Sequence, residues 1–241
     1  MAVLAGFHPV REALRARVPL ERLLVAKPAP PRLQELVDLA RGLGIPVRFE
    51  PREALDRLAP GVPHQGVVAL GASAQYVELE QVLDNAACLV LLDGVEDPHN
   101  LGAIVRSAHA AGASAVVIPE RRAAGLTETV AKAAAGALAW LPVARVTNLN
   151  RAIEVLKKRG FWIYGVDERG PVSYAETEYA SPCAFVFGAE GKGLHAQVKD
   201  HCDFLVRIPL AGPIASLNVS VSAGVVLFEW RRRGGGAEKP A

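Results

Sequence analysis

Three short segments of the chain combine turn-forming residues with polar side chains that could take part in chemistry. They read EDPHN (96–100), AEGKG (189–193) and AGPIASLN (211–218). Each segment follows an apolar run, namely LLDGV, FVFG and VRIPL. Ligands of parallel α/β sheets bind beyond the carboxyl ends of the strands, in the loops that come next. We therefore expect the three segments to form one composite site.

The polar residues of these segments suit the orientation and polarisation of a substrate better than covalent catalysis. They are Asn100, Glu190, Ser216 and Asn218, and Arg106 follows the first segment on a predicted helix face of small residues. The sequence has no nucleophile elbow of the G-x-S-x-G type, and Ser216 has no evident histidine and carboxylate partners. This set predicts a transfer reaction in which a cosubstrate brings the reactive carbon.

The glycine-rich run FGAEGKG (187–193) leaves a nucleotide-dependent enzyme as an alternative. A Walker A loop needs four residues between its first glycine and its Gly-Lys pair, followed by Ser or Thr. In this run the spacing is shorter and glycine follows the lysine, so the pattern fails. A dinucleotide-binding turn follows the first strand of its fold, whereas this run lies near the end of the chain. The run does predict a close approach of backbone to ligand at Gly188, Gly191 and Gly193.

Composition limits the classes of protein to which the chain could belong. Its 241 residues are 51% hydrophobic, enough for one large or two small domains, and the net charge is only +2. The six histidines have no metal-ligand spacing, so we expect no metal site. Three isolated cysteines indicate a reducing compartment. Because no apolar run reaches membrane-spanning length and no signal peptide opens the chain, we expect a cytoplasmic protein.

Two α/β regions must position the three segments. Residues 1–72 alternate helix and strand patterns in a small module, and residues 73–86 predict a linker. Residues 87–233 contain continuous apolar strands separated by helical patterns, which is typical of a parallel sheet covered on both faces. Within them, Asn100 is a candidate N-cap of a helix, and the segment SLNVSVSAGVVLFEWRRR fits either a strand or a closing helix. Residues 234–241 predict a disordered tail.

The second region contains three motifs in a fixed order: DGVEDPHNLGAIVRSAHAAG, FVFGAEGKGL and IPLAGPIASLNVSVSAG. They resemble the three signature motifs of the SpoU-type RNA ribose 2′-O-methyltransferases of the SPOUT superfamily. In the first region, GFHPVREALR and HQGVVA are similar to the substrate domain of the RlmB-type enzymes. Those enzymes methylate a guanosine in the P loop of 23S rRNA.

The resemblance implies a fold, a cofactor and partners. The α/β fold would combine a SPOUT catalytic domain, with a parallel sheet and a deep trefoil knot, and a small N-terminal RNA-binding domain like ribosomal protein L30e. S-adenosyl-L-methionine would be the cofactor, and 23S rRNA or a ribosomal assembly intermediate the substrate. The enzyme would be a homodimer whose active site uses both subunits. The positions that match the family's cofactor-binding residues are Gly188, Ile208 and Leu217, and those that match its functional polar residues are Asn100, Arg106, Glu190, Ser216 and Asn218.

Arg106 is expected to act as a cation. An arginine guanidinium is protonated at pH 7, and making it neutral there would cost roughly 8 kcal/mol. We expect it to bind the phosphate beside the target ribose and to stabilise developing oxyanion charge. A structural ion pair with Glu190 or Asp97 is the alternative for this residue.

Two other functions are compatible with the sequence. The same chemistry could act on a tRNA ribose, although the resemblance of the first region favours rRNA. A non-catalytic RNA-binding assembly factor would keep the fold and lose the chemistry. The intact set of Asn100, Arg106, Glu190 and Asn218 argues against that second alternative.

Overall fold

The predicted alternation of helices and strands is present in the computed structural model, which describes residues 3–18, 20–71, 75–213 and 216–235. The chain forms two units, residues 1–74 and 75–241, each with its own sheet. Within the described residues, no helix is both long and apolar enough to span a membrane. The two units are described separately below.

A mixed four-stranded sheet forms the first unit. Its strands are β1 (Val3–Ala5), β2 (Leu20–Lys27), β3 (Val47–Pro51) and β4 (Val67–Gly71), in the spatial order β1-β4-β2-β3. Its helices are α1 (Phe7–Arg15), α2 (Gln34–Gly42) and α3 (Arg52–Leu58). Successive residues of β2 point to opposite faces. Leu23 and Val25 therefore pack with α1 and α2, whereas Leu24 and Ala26 pack with α3.

The second unit contains an eight-stranded sheet in which every described strand pair is parallel. The strands are β5 (Tyr76–Val77), β6 (Cys88–Asp93), β7 (Ala115–Pro119), β8 (Val143–Val146), β9 (Trp162–Val166), β10 (Val172–Ser173), β11 (Cys183–Gly188) and β12 (Phe204–Arg207). Their spatial order is β10-β12-β9-β11-β6-β7-β8-β5. The predicted parallel sheet is thereby confirmed. The two-residue strands β5 and β10 were too short for the sequence pattern to indicate them.

Helices cover both faces of this sheet, as the continuous apolar strands predicted. Helices α4 (Pro98–Ala111), α5 (Glu128–Ala134) and α8 (Val219–Arg232) contribute to one apolar cluster, and α6 (Leu149–Lys158) and α7 (Ala196–His201) to the other. The alternation along β6 shows the two layers directly. Val90 and Leu92 belong to the first cluster, and Leu89 and Leu91 belong to the second.

The ambiguous closing segment is the helix α8. Its β-branched residues favour a strand, but tertiary packing decides against that preference. Val219, Ala223, Val226, Leu227 and Trp230 are buried at helical spacing, and the helix packs along α4. A strand would have placed successive residues of this set on opposite faces.

The predicted linker has structure of its own at its carboxyl end. Tyr76 and Val77 pair with Val143 and Ala144 of β8, and a 3₁₀ helix follows at Leu79–Val82. The buried residues of that short helix join the core of the second unit. This part of the linker therefore belongs to the second unit rather than lying free. Of the predicted tail, residues 236–241 lie outside the described residues, while the backbone N–H of Gly235 bonds the Trp230 carbonyl at 3.0 Å.

Candidate functional site

A cavity lies at the carboxyl edge of the larger sheet. The neighbouring strands β12, β9, β11 and β6 run parallel, so the loops that follow them emerge on the same side. The loops after β9, β11 and β12 line a cavity of about 370 Å³, together with parts of α7 and α8. That volume lies within the range of roughly 300–1,000 Å³ that is usual for small-molecule sites.

Five of the eight residues predicted for the site line this cavity: Gly188, Glu190, Ile208, Ser216 and Leu217. The apolar part of the lining includes Phe187, Leu210 and Val219, and the charged part includes Asp167, Lys192 and Lys199. The second and third of the three sequence segments therefore meet at one cavity, whereas the first segment, EDPHN, contributes none of the described lining residues. Within the described part of the chain, Asn100, Arg106 and Asn218 are not lining residues.

Gly188 is required by the path of the chain itself. The loop after β11 turns back at Gly191 and Gly193, both with positive φ, and the Gly193 N–H donates to the Ala189 carbonyl at 2.9 Å. A side chain at Gly188 would collide with the Gly193 carbonyl and the Leu194 nitrogen. The sequence pattern attributed this glycine to close approach of a ligand. The structure adds a second reason, the close approach of its own loop.

An asparagine pair connects the first segment to the third. The Asn218 Nδ2 donates to the Asn100 Oδ1 at 3.0 Å, and Asn100 is buried with 7% of its surface exposed. Asn218 also caps α8, because its Oδ1 accepts from the Ser220 backbone N–H at 2.9 Å. The prediction that Asn100 caps α4 was wrong. Asp97 is the cap, and it accepts from the His99 N–H at 2.9 Å because Pro98, which has no N–H to offer, opens the helix.

Arg106 extends from α4 into solvent. Among the described residues it forms neither an ion pair nor a hydrogen bond, so the alternative pairing with Glu190 or Asp97 is not observed.

The small residue Gly102, on the same helix as Arg106, allows α4 to pack closely against its neighbour α5. A Cβ there would lie 2.5 Å from the Ala133 Cβ and 2.7 Å from the Val130 carbonyl oxygen, so glycine permits close packing of α4 on α5.

Asp167 and Lys199 are cavity residues that the sequence reading missed. Asp167 follows the carboxyl end of β9, and its Oδ2 lies 2.6 Å from the Lys199 Nζ. Burial by itself would raise the pKa of Asp167, but the Lys199 hydrogen bond and the Arg169 N–H outweigh burial and hold the pKa below its ordinary value. The rule that polar residues after strand ends form sites applied equally to DERG (167–170) after FWIYGV, and could have found Asp167.

The Asp93 carboxylate connects the end of β6 to the start of α7 through two contacts with His195. Its Oδ2 accepts from the His195 backbone N–H at 2.8 Å, and its Oδ1 lies 2.9 Å from the His195 Nδ1. The histidine at the end of α7, His201, contacts its own helix instead, with its Nδ1 2.7 Å from the Gln197 carbonyl oxygen.

Comparison with known proteins decides the family. The SpoU rRNA methylase family matches residues 87–228, and the family described as RNA 2′-O ribose methyltransferase substrate binding matches residues 3–77. A Bacillus subtilis protein, YacO, provisionally named a TrmH family tRNA/rRNA methyltransferase, is 43% identical over 95% of this chain and 94% of its own. The chain belongs to the SpoU rRNA methylase family.

Two solved structures of this SpoU group match the fold. The AdoMet-bound rRNA methyltransferase from Sinorhizobium meliloti is 26% identical, with a TM-score of 0.79 over 96% of this chain and 87% of that chain. The TrmH/SpoU tRNA modifying enzyme of A. aeolicus is 28% identical, with a TM-score of 0.57 over 64% of this chain and 81% of that chain. The predicted family, an α/β RNA methyltransferase of the SpoU/TrmH type, is thereby confirmed.

In the first unit of this SpoU methylase, the surroundings of the buried His64 and of the exposed Arg15 and Arg17 decide whether these residues could contact RNA. His64 is buried, with its Nε2 2.8 Å from the Asp56 Oδ1 and its Nδ1 accepting from the Gly66 N–H at 3.1 Å. His64 therefore supports a turn and is not displayed for RNA contact. Arg17 is exposed and available to a phosphate backbone, whereas the exposed Arg15 pairs with the Glu35 Oε1 at 3.4 Å.

No cluster of three or more metal-ligating side chains occurs within residues 3–18, 20–71, 75–213 and 216–235.

Proposed function

We propose that this SpoU methylase transfers a methyl group from S-adenosyl-L-methionine to a ribose 2′-oxygen of RNA. The observation that carries the proposal is the cavity at the carboxyl edge of the sheet, whose lining includes both apolar and charged residues. The apolar residues Phe187, Ile208 and Leu217 suit an adenine ring, and the charged residues suit the amino-acid end of the cofactor. The similar rRNA methyltransferase from Sinorhizobium meliloti is AdoMet-bound in its crystal structure, which supports this assignment.

The cofactor would be held by Gly188, Ile208 and Leu217, and when bound it supplies an electrophilic methyl group. The chain's own residues would then have two tasks, to fix the target ribose and to compensate the charge that develops on its oxygen. Glu190 and Ser216 line the same cavity and are exposed, so they can meet a substrate that approaches from solvent.

Arg106 would bind the phosphate next to the target ribose as a cation. Its exposed guanidinium has no carboxylate partner within the described residues, which leaves its bidentate donors free for a phosphate. Asn100 and Asn218 would hold the start of α4 against the start of α8, and so fix the position of Arg106 relative to the loop after β12. All eight site residues remain proposals.

We also propose that the enzyme is a homodimer in which Arg106 of one subunit serves the cavity of the other. Arg106 does not line the cavity of its own chain. Helix α8 exposes Val221 and Phe228, each 50% accessible, two turns apart on one face. A second copy of the chain would cover this apolar stripe and bring its own α4, with Arg106, near the cavity of the first copy.

Mixed dimers test the shared site. Arg106→Ala chains and Leu217→Trp chains, the second with a filled cavity, should each be inactive alone. A mixture that exchanges subunits should regain about one quarter of wild-type activity, because half the dimers carry one intact site of two. Failure to regain activity in subunit-exchanged mixtures would show that each chain uses its own Arg106.

For the substrate we propose a guanosine in the P loop of 23S rRNA, as naked rRNA or in an assembly intermediate. The match of residues 3–77 to a substrate-binding family supports a dedicated RNA-binding unit. The rRNA methyltransferase from Sinorhizobium meliloti matches 96% of this chain, whereas the tRNA enzyme of A. aeolicus matches 64%. A trefoil knot in the second unit, an L30e-like fold of the first and a cytoplasmic location stay predictions.

Two measurements test the proposed function. Isothermal titration calorimetry of the full chain should detect S-adenosyl-L-methionine at micromolar to millimolar concentrations; no binding would favour a non-catalytic assembly factor. Mapping of ribose methylation in cells that lack the protein should reveal one missing methyl group in 23S rRNA. A missing tRNA methyl group instead would keep the chemistry and change the substrate.

A further inference from the structure

The cavity contains one ion pair whose carboxylate is almost fully removed from solvent. Asp167 and Lys199 lie 2.6 Å apart, and their side chains are 3% and 28% exposed. Both residues line the cavity. The other charged lining residues that the structure describes (Glu168, Arg169, Glu190 and Lys192) are all exposed. Among the described lining residues, Asp167 and Lys199 are therefore the oppositely charged pair whose carboxylate is buried.

The position of the Asp167 carboxylate is fixed from two loops. Its Oδ1 accepts from the backbone N–H of Arg169 at 3.1 Å, within the loop after β9. Its Oδ2 faces the loop after β11, where a Cβ on Gly193 would lie 3.2 Å away. Glycine at position 193 thus leaves room for the carboxylate beside the cavity. Lys199 reaches the same carboxylate from α7, a third element.

Such a pair is complementary to a ligand that carries an ammonium and a carboxylate on one carbon. The ligand carboxylate can accept from the Lys199 Nζ, which has three donors, while the ligand ammonium can donate to the second lone pairs of Asp167. The geometry points to Asp167 and Lys199 as the subsite for the α-amino-acid end of the cofactor. This inference rests on the proposed function, because it assigns one end of the proposed ligand.

Charge balance explains why the pair would select the complete ligand. The pair is neutral as a unit, and so is the amino-acid end of the ligand, so binding leaves no buried charge uncompensated. A nucleoside that lacks this end would make no contact with the pair and would gain no binding free energy from it. The pair therefore sets the preference for the amino-acid end over a bare thionucleoside.

A comparison of two ligands on one set of variants tests the assignment. Calorimetry would measure the Kd of S-adenosylhomocysteine, which has the amino-acid end, and of 5′-methylthioadenosine, which lacks it. The variants are Lys199→Met and the charge-balanced double variant Asp167→Asn/Lys199→Met. Lys157→Met is the matched control, because Lys157 pairs with Asp203 at 2.7 Å and neither residue lines the cavity.

Both cavity variants should bind S-adenosylhomocysteine roughly 10- to 100-fold more weakly, as expected for the loss of charge-assisted hydrogen bonds. Their Kd for 5′-methylthioadenosine should stay within about twofold of wild type, which also shows that the pocket is folded. Lys157→Met should change neither value. Equal losses for both ligands would mean that the pair only shapes the loops, and an unchanged S-adenosylhomocysteine Kd would remove the pair from the site; either result overturns the inference. Binding of neither ligand by the wild type would overturn the proposed function itself.

Discussion

Replacement of Gly188 by alanine should disrupt the loop that forms one wall of the cavity. The new Cβ would meet the carbonyl carbon and oxygen of Gly193 and the nitrogen of Leu194. Each of these separations is more than about 1 Å short of the ~3.5 Å at which such atoms pack well. The obstacle is backbone, which a rotamer change does not remove. The loop must move as a body.

The cost can be worked from two contributions. Forcing an extra methyl group into a packed site costs about 1–3 kcal/mol. Separation of Gly193 from the Ala189 carbonyl would add about 1 kcal/mol for the lost hydrogen bond. We therefore expect Gly188→Ala to lower the free energy of unfolding by about 2–4 kcal/mol, or to displace the loop and weaken cofactor binding at least tenfold.

Chemical denaturation and calorimetry measure these two quantities on the same samples. Gly212→Ala is the matched control, because Gly212 also lies in a loop beside the cavity-lining residues, but a Cβ there would have no atom of the described residues within 4 Å. The free energy of unfolding of Gly212→Ala should stay within about 0.5 kcal/mol of the wild-type value. Wild-type stability combined with wild-type affinity in Gly188→Ala would refute the claim that the loop packs on Gly188.

Three further outcomes follow from named contacts. Asn218→Ala should lower the free energy of unfolding by about 1–3 kcal/mol, because it removes both the α8 cap and the hydrogen bond to Asn100. Urea unfolding measures this free energy, and a loss below about 0.5 kcal/mol would contradict the prediction. Burial raises the pKa of Cys88 and raises the pKa of Cys202 to about 12, so a thiol reagent at pH 8 should label neither residue before unfolding; rapid native labelling would show that the thiols are accessible. The folded-state pKa of Asp167 lies below its ordinary value, so the contribution of this carboxylate to stability is present above about pH 4 and is lost as the pH falls through the folded pKa. Between about pH 5 and pH 2, the free energy of unfolding should therefore fall more for the wild type than for Asp167→Asn. Parallel curves of unfolding free energy against pH would count against the ion pair.

Periodicity and composition were sufficient to predict most of the fold. The apolar run of β6 is typical of a strand buried on both faces, and Leu101, Ile104, Val105 and Ala108 of α4 recur at the 3.6-residue spacing that indicates a helix. Residues 219–232 stayed ambiguous because local preference and packing disagree there. Tertiary packing of α8 decides for a helix, and its contact with α4 joins segments more than a hundred residues apart.

The site was predictable where residue type and position at a strand end coincide. Gly188, Glu190, Ile208, Ser216 and Leu217 fulfil that condition or match a motif, and the structure brings them to one cavity. Asp167 fulfils it too, but its partner Lys199 lies on α7 in a stretch that reads as an ordinary charged helix. A pair formed between distant elements leaves no local spacing for a sequence pattern to detect.

Several residues of this site have a structural task and a proposed chemical task at the same time. Asn218 caps α8 and bonds Asn100, and Gly188 accommodates the chain's own loop beside the proposed cofactor. Loss of activity on substitution therefore does not by itself assign a catalytic role to either residue. Arg106 is the exception, because it is exposed and has no partner within the described residues, so its removal should leave stability within about 0.5 kcal/mol. If Arg106→Ala keeps wild-type stability and cofactor affinity but loses methyl transfer, the loss must arise at the RNA; if stability falls by several kcal/mol, Arg106 is structural.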